Sequence, residues 1–205
     1  EVMVHPESKA DWHAADAVVV GPGWGRSQAS LLELLLLSDK AMVIDADALN
    51  IIADHSSLQQ KLAARTQMTV ITPHPGEAAR LLGVSVEDVQ LDRKKSVLAL
   101  TIRYACQVVL KGSETLVASP QKDIYLNPFG SAQLAVAGSG DVLAGMIGAQ
   151  LARAHDSGAD PAMLIAAAVA LHGKAGEADG WYLAGELARV VSEMRQSIER
   201  GGKGL

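Results

Sequence analysis

The chain has 205 residues, enough to bury a substantial core and, by length, to form a single domain of residues 1–205. It is 49% hydrophobic but only 3% aromatic, a usage that fits helices meeting through small side chains better than an all-β sandwich. The net charge of −5 is spread along the sequence, with no Lys/Arg-rich run, which argues against nucleic acid as a partner.

Cys106 is the only cysteine, so no internal disulfide exists; beside a hydrophobic strand it reads as a buried, inert thiol, in keeping with a reducing cytoplasm. The chain opens without a signal peptide, and the apolar run Leu31–Leu37 is far too short to cross a bilayer, so a soluble, cytoplasmic protein without membrane contact is expected. It begins at Glu1 without a Met, which leads us to expect a natural chain that extends further upstream.

In chain order, Ala14–Val20 contains a short β-branched strand that ends at Gly21-Pro22-Gly23-Trp24-Gly25, and an apolar helix over Ser30–Leu37 follows. Strand, glycine-dense loop and helix make half of a βαβ unit, although the loop also reads as a plain tight turn. A second strand, Ala41–Ile44, runs into Asp45-Ala46-Asp47-Ala48-Leu49-Asn50. Asp45 there is expected to face a ligand, and Asp47 to cap the next helix. A third strand, Met68–Ile71, leads to Thr72-Pro73-His74-Pro75-Gly76-Glu77, where prolines hold His74 in an extended loop before a helix begins at Glu77. A lone His is more often structural than catalytic, but this placement at a strand end favours ligand contact.

Val84–Tyr104 contains a further helix, with Asp92, Arg93, Lys94 and Lys95 as a solvated face. The strand Gln107–Leu110 then ends at Lys111-Gly112-Ser113-Glu114-Thr115, either an approach to phosphate or a hairpin turn. Leu116–Ala118 and Ile124–Leu126 flank a polar turn and form an antiparallel pair added to a parallel sheet. After Asn127-Pro128-Phe129-Gly130 comes the stretch around which the chain is organised, Ala135–Gly145, with Gly138-Ser139-Gly140-Asp141 at its centre.

Glycines that open a helix present unpaired N–H groups at the positive end of its dipole, which suits a phosphate or a developing oxyanion. A carboxylate aimed at that anion would repel it. Asp141 is therefore either a base that takes a proton from a substrate hydroxyl or the N-cap of the helix. The stretch is neither a dinucleotide fingerprint nor a P-loop, because it lacks the third Gly of the former and the Lys-Ser/Thr of the latter. Beyond it, Ala144, Gly148 and Ala152 form a small-residue stripe expected to meet a helix over Pro161–Gly173, at whose end His172 reads as a packing or capping residue. A last amphipathic helix covers Leu183–Ile198, and Gly201–Gly204 reads as a frayed tail.

Taken as an ordered set, the loops at 21–25, 45–50, 72–77, 111–115 and 127–141 closely resemble those of the ADP/ATP-dependent NAD(P)H-hydrate dehydratases, the carbohydrate-kinase-like domain of the YjeF family. The likeness runs from about Met3 to the last helix. It implies a ribokinase-like α/β fold, a three-layer αβα sandwich with a mostly parallel central sheet and an antiparallel edge. It also implies a lyase that uses ADP or ATP to remove water from hydrated NADH or NADPH, with ADP yielding AMP and phosphate. By motif, Lys111, Gly112, Ser113, Glu114, Thr115 and Gly140 would bind the adenine nucleotide, with the amides of Gly138, Ser139, Gly140 and Asp141 at the transferring phosphoryl group. Gly25, His74 and Asp141 would contact the hydrated dinucleotide, Asp141 as the catalytic base. Glu77 resembles the Glu of an Asn-x-x-Glu element that helps place Mg²⁺, with His74 standing where that element has Asn. A homotetramer is implied as well. Family members carry an upstream strand and small-residue helix that supply another substrate contact; nothing in this sequence matches them, so the chain is expected to lack that N-terminal segment.

Overall fold

The computed structural model describes residues 12–121, 123–179 and 183–201. The expected tail at Gly202–Gly204 and the start of the family likeness near Met3 lie outside them. Six strands form one sheet in sequential order: β1 (Ala17–Val20), β2 (Ala41–Ile44), β3 (Thr69–Ile71), β4 (Gln107–Leu110), β5 (Leu116–Ala118) and β6 (Ile124–Leu126). The first four run parallel, and β5 and β6 add the antiparallel edge.

Alternation along the strands creates the layers, because successive side chains leave opposite faces of a sheet. Met42, Ile44, Ile71, Val108 and Leu110 join one buried cluster with α1 (Ala29–Leu36), α2 (Asp47–Asp54), α3 (Ser56–Ala63), α4 (Pro75–Leu82), α5 (Val86–Leu91) and α6 (Arg93–Tyr104). Val43, Val70, Val109 and Val117 face the other way, against α7 (Ser139–Ser157) and α8 (Pro161–Ala175). Leu187 and Val190 of α9 (Ala184–Glu199) close a third cluster with Ala175, Val142 and Val136. Helices therefore cover both faces, as a mostly parallel sheet requires.

The stripe Ala144-Gly148-Ala152 meets α8 as expected, with Ala144 buried beside Ile165, Ala168 and Val169; it also lies on the sheet, where a Cβ on Gly148 would lie 2.5 Å from Cγ2 of Val19. The small residue is needed because α7 lies directly on β1. Two local expectations need correction. The single helix expected over Val84–Tyr104 is two, broken at Asp92, whose carboxylate accepts from the Lys95 N–H at 2.9 Å and so starts α6. Arg93 leaves the solvated face: its guanidinium donates to the carbonyls of Leu110 and Lys111 at 3.1 and 3.3 Å. Cys106 is buried as expected, and burial pushes its thiol up to about 12. Among the described residues, no helix is long and apolar enough to cross a membrane.

Candidate active site

The carboxyl ends of β1 to β4 lie along one edge of the sheet, where ligands collect in open α/β folds. The strand ends touch each other. Gly21, at φ +113°, brings β1 so close to β2 that a Cβ there would lie 1.9 Å from the Asp45 carbonyl oxygen. At the end of β4, Lys111 donates from its backbone N–H to Pro73 O at 2.8 Å, joining the third and fourth loops.

Asp45 is 1% exposed, and its Oδ1 accepts from Lys111 Nζ at 2.7 Å. This ion pair lies under the start of α7: a Cβ on Gly140 would sit 3.4 Å from Lys111 Nζ and 3.9 Å from Asp45 Oδ2. A buried pair satisfied in this way does little for net stability, but removal of one partner strands the other charge.

The start of α7 is open. Its cap is Gly138, at φ +87°, which no side chain can turn into a hydrogen-bonding cap, and the N–H groups of Gly140 and Asp141 meet no acceptor among the described residues. Asp141 is the third helical residue and is exposed, so it is not the N-cap. It stands two turns before Gly148 on the same flank of α7, the flank that lies on Val19 of β1. Its carboxylate is thus carried on the side of the helix towards the β1 loop, while Ser139 and Leu143 face a cavity on the other side.

That cavity measures about 610 Å³. It brings together Lys111, Gly112, Ser113 and Glu114 of the β4–β5 turn with Ser139 and Gly140 of α7, six of the residues expected at the nucleotide. The turn is a hairpin connection and a cavity wall at once. Thr115 and Gly138 do not line it: Thr115 donates from Oγ1 to Gly112 O at 3.0 Å, which ties the turn, and Gly138 supplies the bend into α7. The outer wall is the segment from Pro128 to Ala135.

Gly25, His74 and Glu77 belong to the neighbouring loops. The Gly25 N–H donates to Asp47 Oδ2 at 2.8 Å. Asp47 therefore does not cap α2; Ala46 holds the cap position, at φ +50°, and Asp47, already inside the helix, is left to bridge two loops. His74 caps α4. Its Nδ1 accepts from the N–H groups of Gly76 and Glu77 at 2.9 and 3.3 Å, while Glu77 Oε2 accepts from the His74 N–H at 2.8 Å. Burial pushes the Glu77 carboxyl up to about 6, against the opposing pull of Lys111. Burial, then Lys111, holds the His74 imidazole below its usual value.

No group of three or more His, Cys, Asp or Glu in a metal-holding arrangement occurs among the described residues. The donors fit Mg²⁺ as an ion that arrives on phosphate oxygens and keeps most of its water, with one or two carboxylates nearby. Two carboxylate oxygens of these loops are open to it: Glu77 Oε1, whose neighbour is His74 Nε2 at 3.4 Å, and Asp45 Oδ2, the oxygen that Lys111 does not hold.

Residues given no binding or catalytic role from the sequence lie against the walls of the site. Besides Arg93, His172 lies buried against Ser139, with Nε2 3.0 Å from its carbonyl oxygen. Asn127 Nδ2 donates to Phe129 O at 2.9 Å and fixes the bend that begins the outer wall. Only the fold reveals these roles, since each partner is remote in sequence or is a backbone carbonyl.

A family model described as NAD(P)H-hydrate dehydratase matches residues 1–185. The chain belongs to that family. It is 42% identical, over an alignment of 209 residues, to an ADP-dependent (S)-NAD(P)H-hydrate dehydratase of Neisseria meningitidis, covering 98% of this chain and 70% of that protein. It is 43% identical over 190 residues to a bifunctional NAD(P)H-hydrate repair enzyme of Gloeobacter violaceus, covering 86% of this chain and 35% of the relative. A crystal structure of the ADP/ATP-dependent NAD(P)H-hydrate dehydratase of Bacillus subtilis, co-crystallised with ATP and Mg²⁺, superposes with a TM-score of 0.72 at 31% identity, over 88% of this chain and 64% of the other. This member of the NAD(P)H-hydrate dehydratase family thus spans about two thirds of the solved relative and about a third of the bifunctional one. Its fold is also shared with a ribokinase-like superfamily protein of Enterococcus faecalis, at a TM-score of 0.71 and 25% identity over 89% of this chain and 63% of the other.

Proposed function

We propose that this chain is a carbohydrate-kinase-like domain that dehydrates hydrated NADH or NADPH at the expense of ADP or ATP. The observation that carries the reading is the uncapped start of α7, where free amides stand beside the Asp45–Lys111 pair at the mouth of a cavity of about 610 Å³. Free helix N-terminal amides with a cation beside them suit a phosphoryl group that gains charge as it is transferred.

Hydroxide leaves a carbon poorly, whereas phosphate leaves well. Asp141 takes the proton of the ring hydroxyl, and the freed oxygen attacks the terminal phosphorus of the nucleotide, breaking its bond to the bridging oxygen; with ADP the leaving group is AMP. The ring nitrogen's electron pair then expels the new phosphate, and loss of a ring proton restores the dihydronicotinamide. Lys111 and the amides of Gly140 and Asp141 hold the transferring group; the β4–β5 turn and the outer wall hold the rest of the nucleotide. Mg²⁺ carried on the phosphates would offset their charge, and Glu77 would help to hold it. Gly25 and His74 face the hydrated dinucleotide from the neighbouring loops. The same reading takes the working protein to be a cytoplasmic homotetramer.

The test is to incubate the purified chain with hydrated NADH, Mg²⁺ and ADP or ATP. Recovery of reduced-nicotinamide absorbance, with AMP and phosphate formed from ADP, is the expected result. A stable phosphorylated product and no recovered absorbance would make it a small-molecule kinase instead, and size-exclusion chromatography with light scattering would test the tetramer.

A further inference from the structure

The segment from His172 to Glu177, at the end of α8, touches both walls of the cavity. On one side His172 Nε2 lies 3.0 Å from Ser139 O and 3.4 Å from Ser139 Oγ, in the first turn of α7. On the other side the outer wall is seated on the glycines of the segment. A Cβ on Gly173 would lie 2.7 Å from Asn127 Nδ2 and from Phe129 O, and one on Gly176 would lie 2.5 Å from Leu134 Cγ. Ser131 Oγ donates to Gly176 O at 2.6 Å, and the Gly130 N–H donates to Glu177 Oε1 at 3.0 Å.

The geometry fixes the chemistry of His172. A carbonyl oxygen only accepts, so Nε2 must carry the proton, and the ring is the Nε2–H tautomer. At 6% exposure the ring cannot exchange this bond for one to bulk water. Ser139 is the first residue of α7, and its carbonyl is rigidly joined to the amide of Gly140, since the two share one peptide plane. A hydrogen bond that holds the carbonyl therefore also sets where the Gly140 N–H points. The absence of a side-chain cap at Gly138 leaves this turn without the local restraint that α4 has.

We infer that His172 is a positioning residue: as an Nε2–H donor it clamps the Ser139–Gly140 peptide plane and so aims the open amides of α7 at the phosphates of the nucleotide. The inference rests on the functional reading only in that the cavity takes a nucleotide, and dehydration itself is not needed to test it. Anion binding through amides rewards preorganisation, because donors already in place lose nothing by being ordered when the ligand arrives.

The test compares His172→Leu with His172→Gln, whose side-chain N–H₂ can replace the Nε2–H donor. Binding of ADP and of adenosine to each is measured by calorimetry. The clamp predicts that His172→Leu weakens ADP roughly tenfold, the ratio that one buried hydrogen bond supplies, while adenosine, which has no phosphate, changes by less than about twofold. His172→Gln should recover most of the ADP affinity. A role confined to packing would lower ADP and adenosine by the same factor, and that result, or unchanged ADP binding in His172→Leu, overturns the inference. If the leucine variant does not fold, ring ¹⁵N shifts of the wild-type protein at about pH 8 decide: a ring protonated at Nε2 is expected, and an Nδ1–H tautomer, which leaves Nε2 without a proton to donate, overturns the clamp. A wild-type chain that binds ADP without restoring reduced nicotinamide would remove the dehydratase reading and leave the clamp standing.

Discussion

Helices α4 and α7 both begin at the rim formed by the strand-end loops, yet their first turns are finished in opposite ways. In α4 the amides of Gly76 and Glu77 are taken by His74 Nδ1, and the Glu77 carboxylate returns the favour at the His74 N–H. In α7 a glycine holds the cap position, and the amides of Gly140 and Asp141 are left to the cavity mouth. The acidic residue of the first turn accordingly has a different status in each: Glu77 is 4% exposed and tied inward, Asp141 stands in the open. A self-satisfied start serves the fold. An unsatisfied one is a place for a ligand, and the chain keeps it open at some cost in helix stability.

The largest effect is expected from the open start. Asp141→Asn should lower dehydratase turnover by about 10²–10⁴-fold, the usual contribution of a positioned base, with ADP affinity nearly unchanged. Single-turnover kinetics alongside calorimetry measure both, and a loss of ADP affinity equal to the loss of rate would mean that Asp141 serves binding only. Next comes the pair beneath that start. Lys111→Met leaves Asp45 buried without its cation and should cost about 3–5 kcal/mol in urea unfolding. Its ADP affinity should fall as well, and full stability in this variant would show that Asp45 finds another partner.

The closed start should show itself through pH. Glu77 has a folded-state value of about 6 against an ordinary 4.5, so the folded chain binds the extra proton between those two values. Stability should therefore fall as pH rises from about 4.5 to about 6, by up to about 2 kcal/mol from this one carboxyl. Unfolding midpoints measured without nucleotide or metal should show that slope in the wild type and lose it in Glu77→Gln. The smallest effect is expected from His74→Ala, which removes the side-chain acceptor from α4 and should cost about 1 kcal/mol. If the closed start is only structural, ADP binding in that variant should not change.

The two starts were not equally legible in the sequence. Pro75 and Glu77 mark α4 through local rules, and the small residues from Gly138 to Gly140 mark the open turn in the same way. The strands were legible because β-branched runs end sharply at Gly, Pro or Asp, and Val43 against Met42 and Ile44 already encodes two buried faces. Asp47 and Arg93 were misread for one shared reason. Their residue types predict a helix cap and a solvated face, but their partners, the Gly25 amide and the carbonyls of Leu110 and Lys111, come from other loops. His172 is buried, as a packing residue should be, but its partner is a carbonyl that no sequence pattern announces. The stripe on α7 announced its close approach to α8, but not that Gly148 also lies on β1.

The solitary thiol at Cys106 has a practical consequence. It is buried in the core with its ionisation pushed up to about 12, so it should stay silent towards maleimides while the protein remains folded. A cysteine placed at exposed Ala132, on the cavity's outer wall, would then be the sole reactive handle. A fluorophore fixed there would report ligand entry directly, in a protein that otherwise needs no thiol removed.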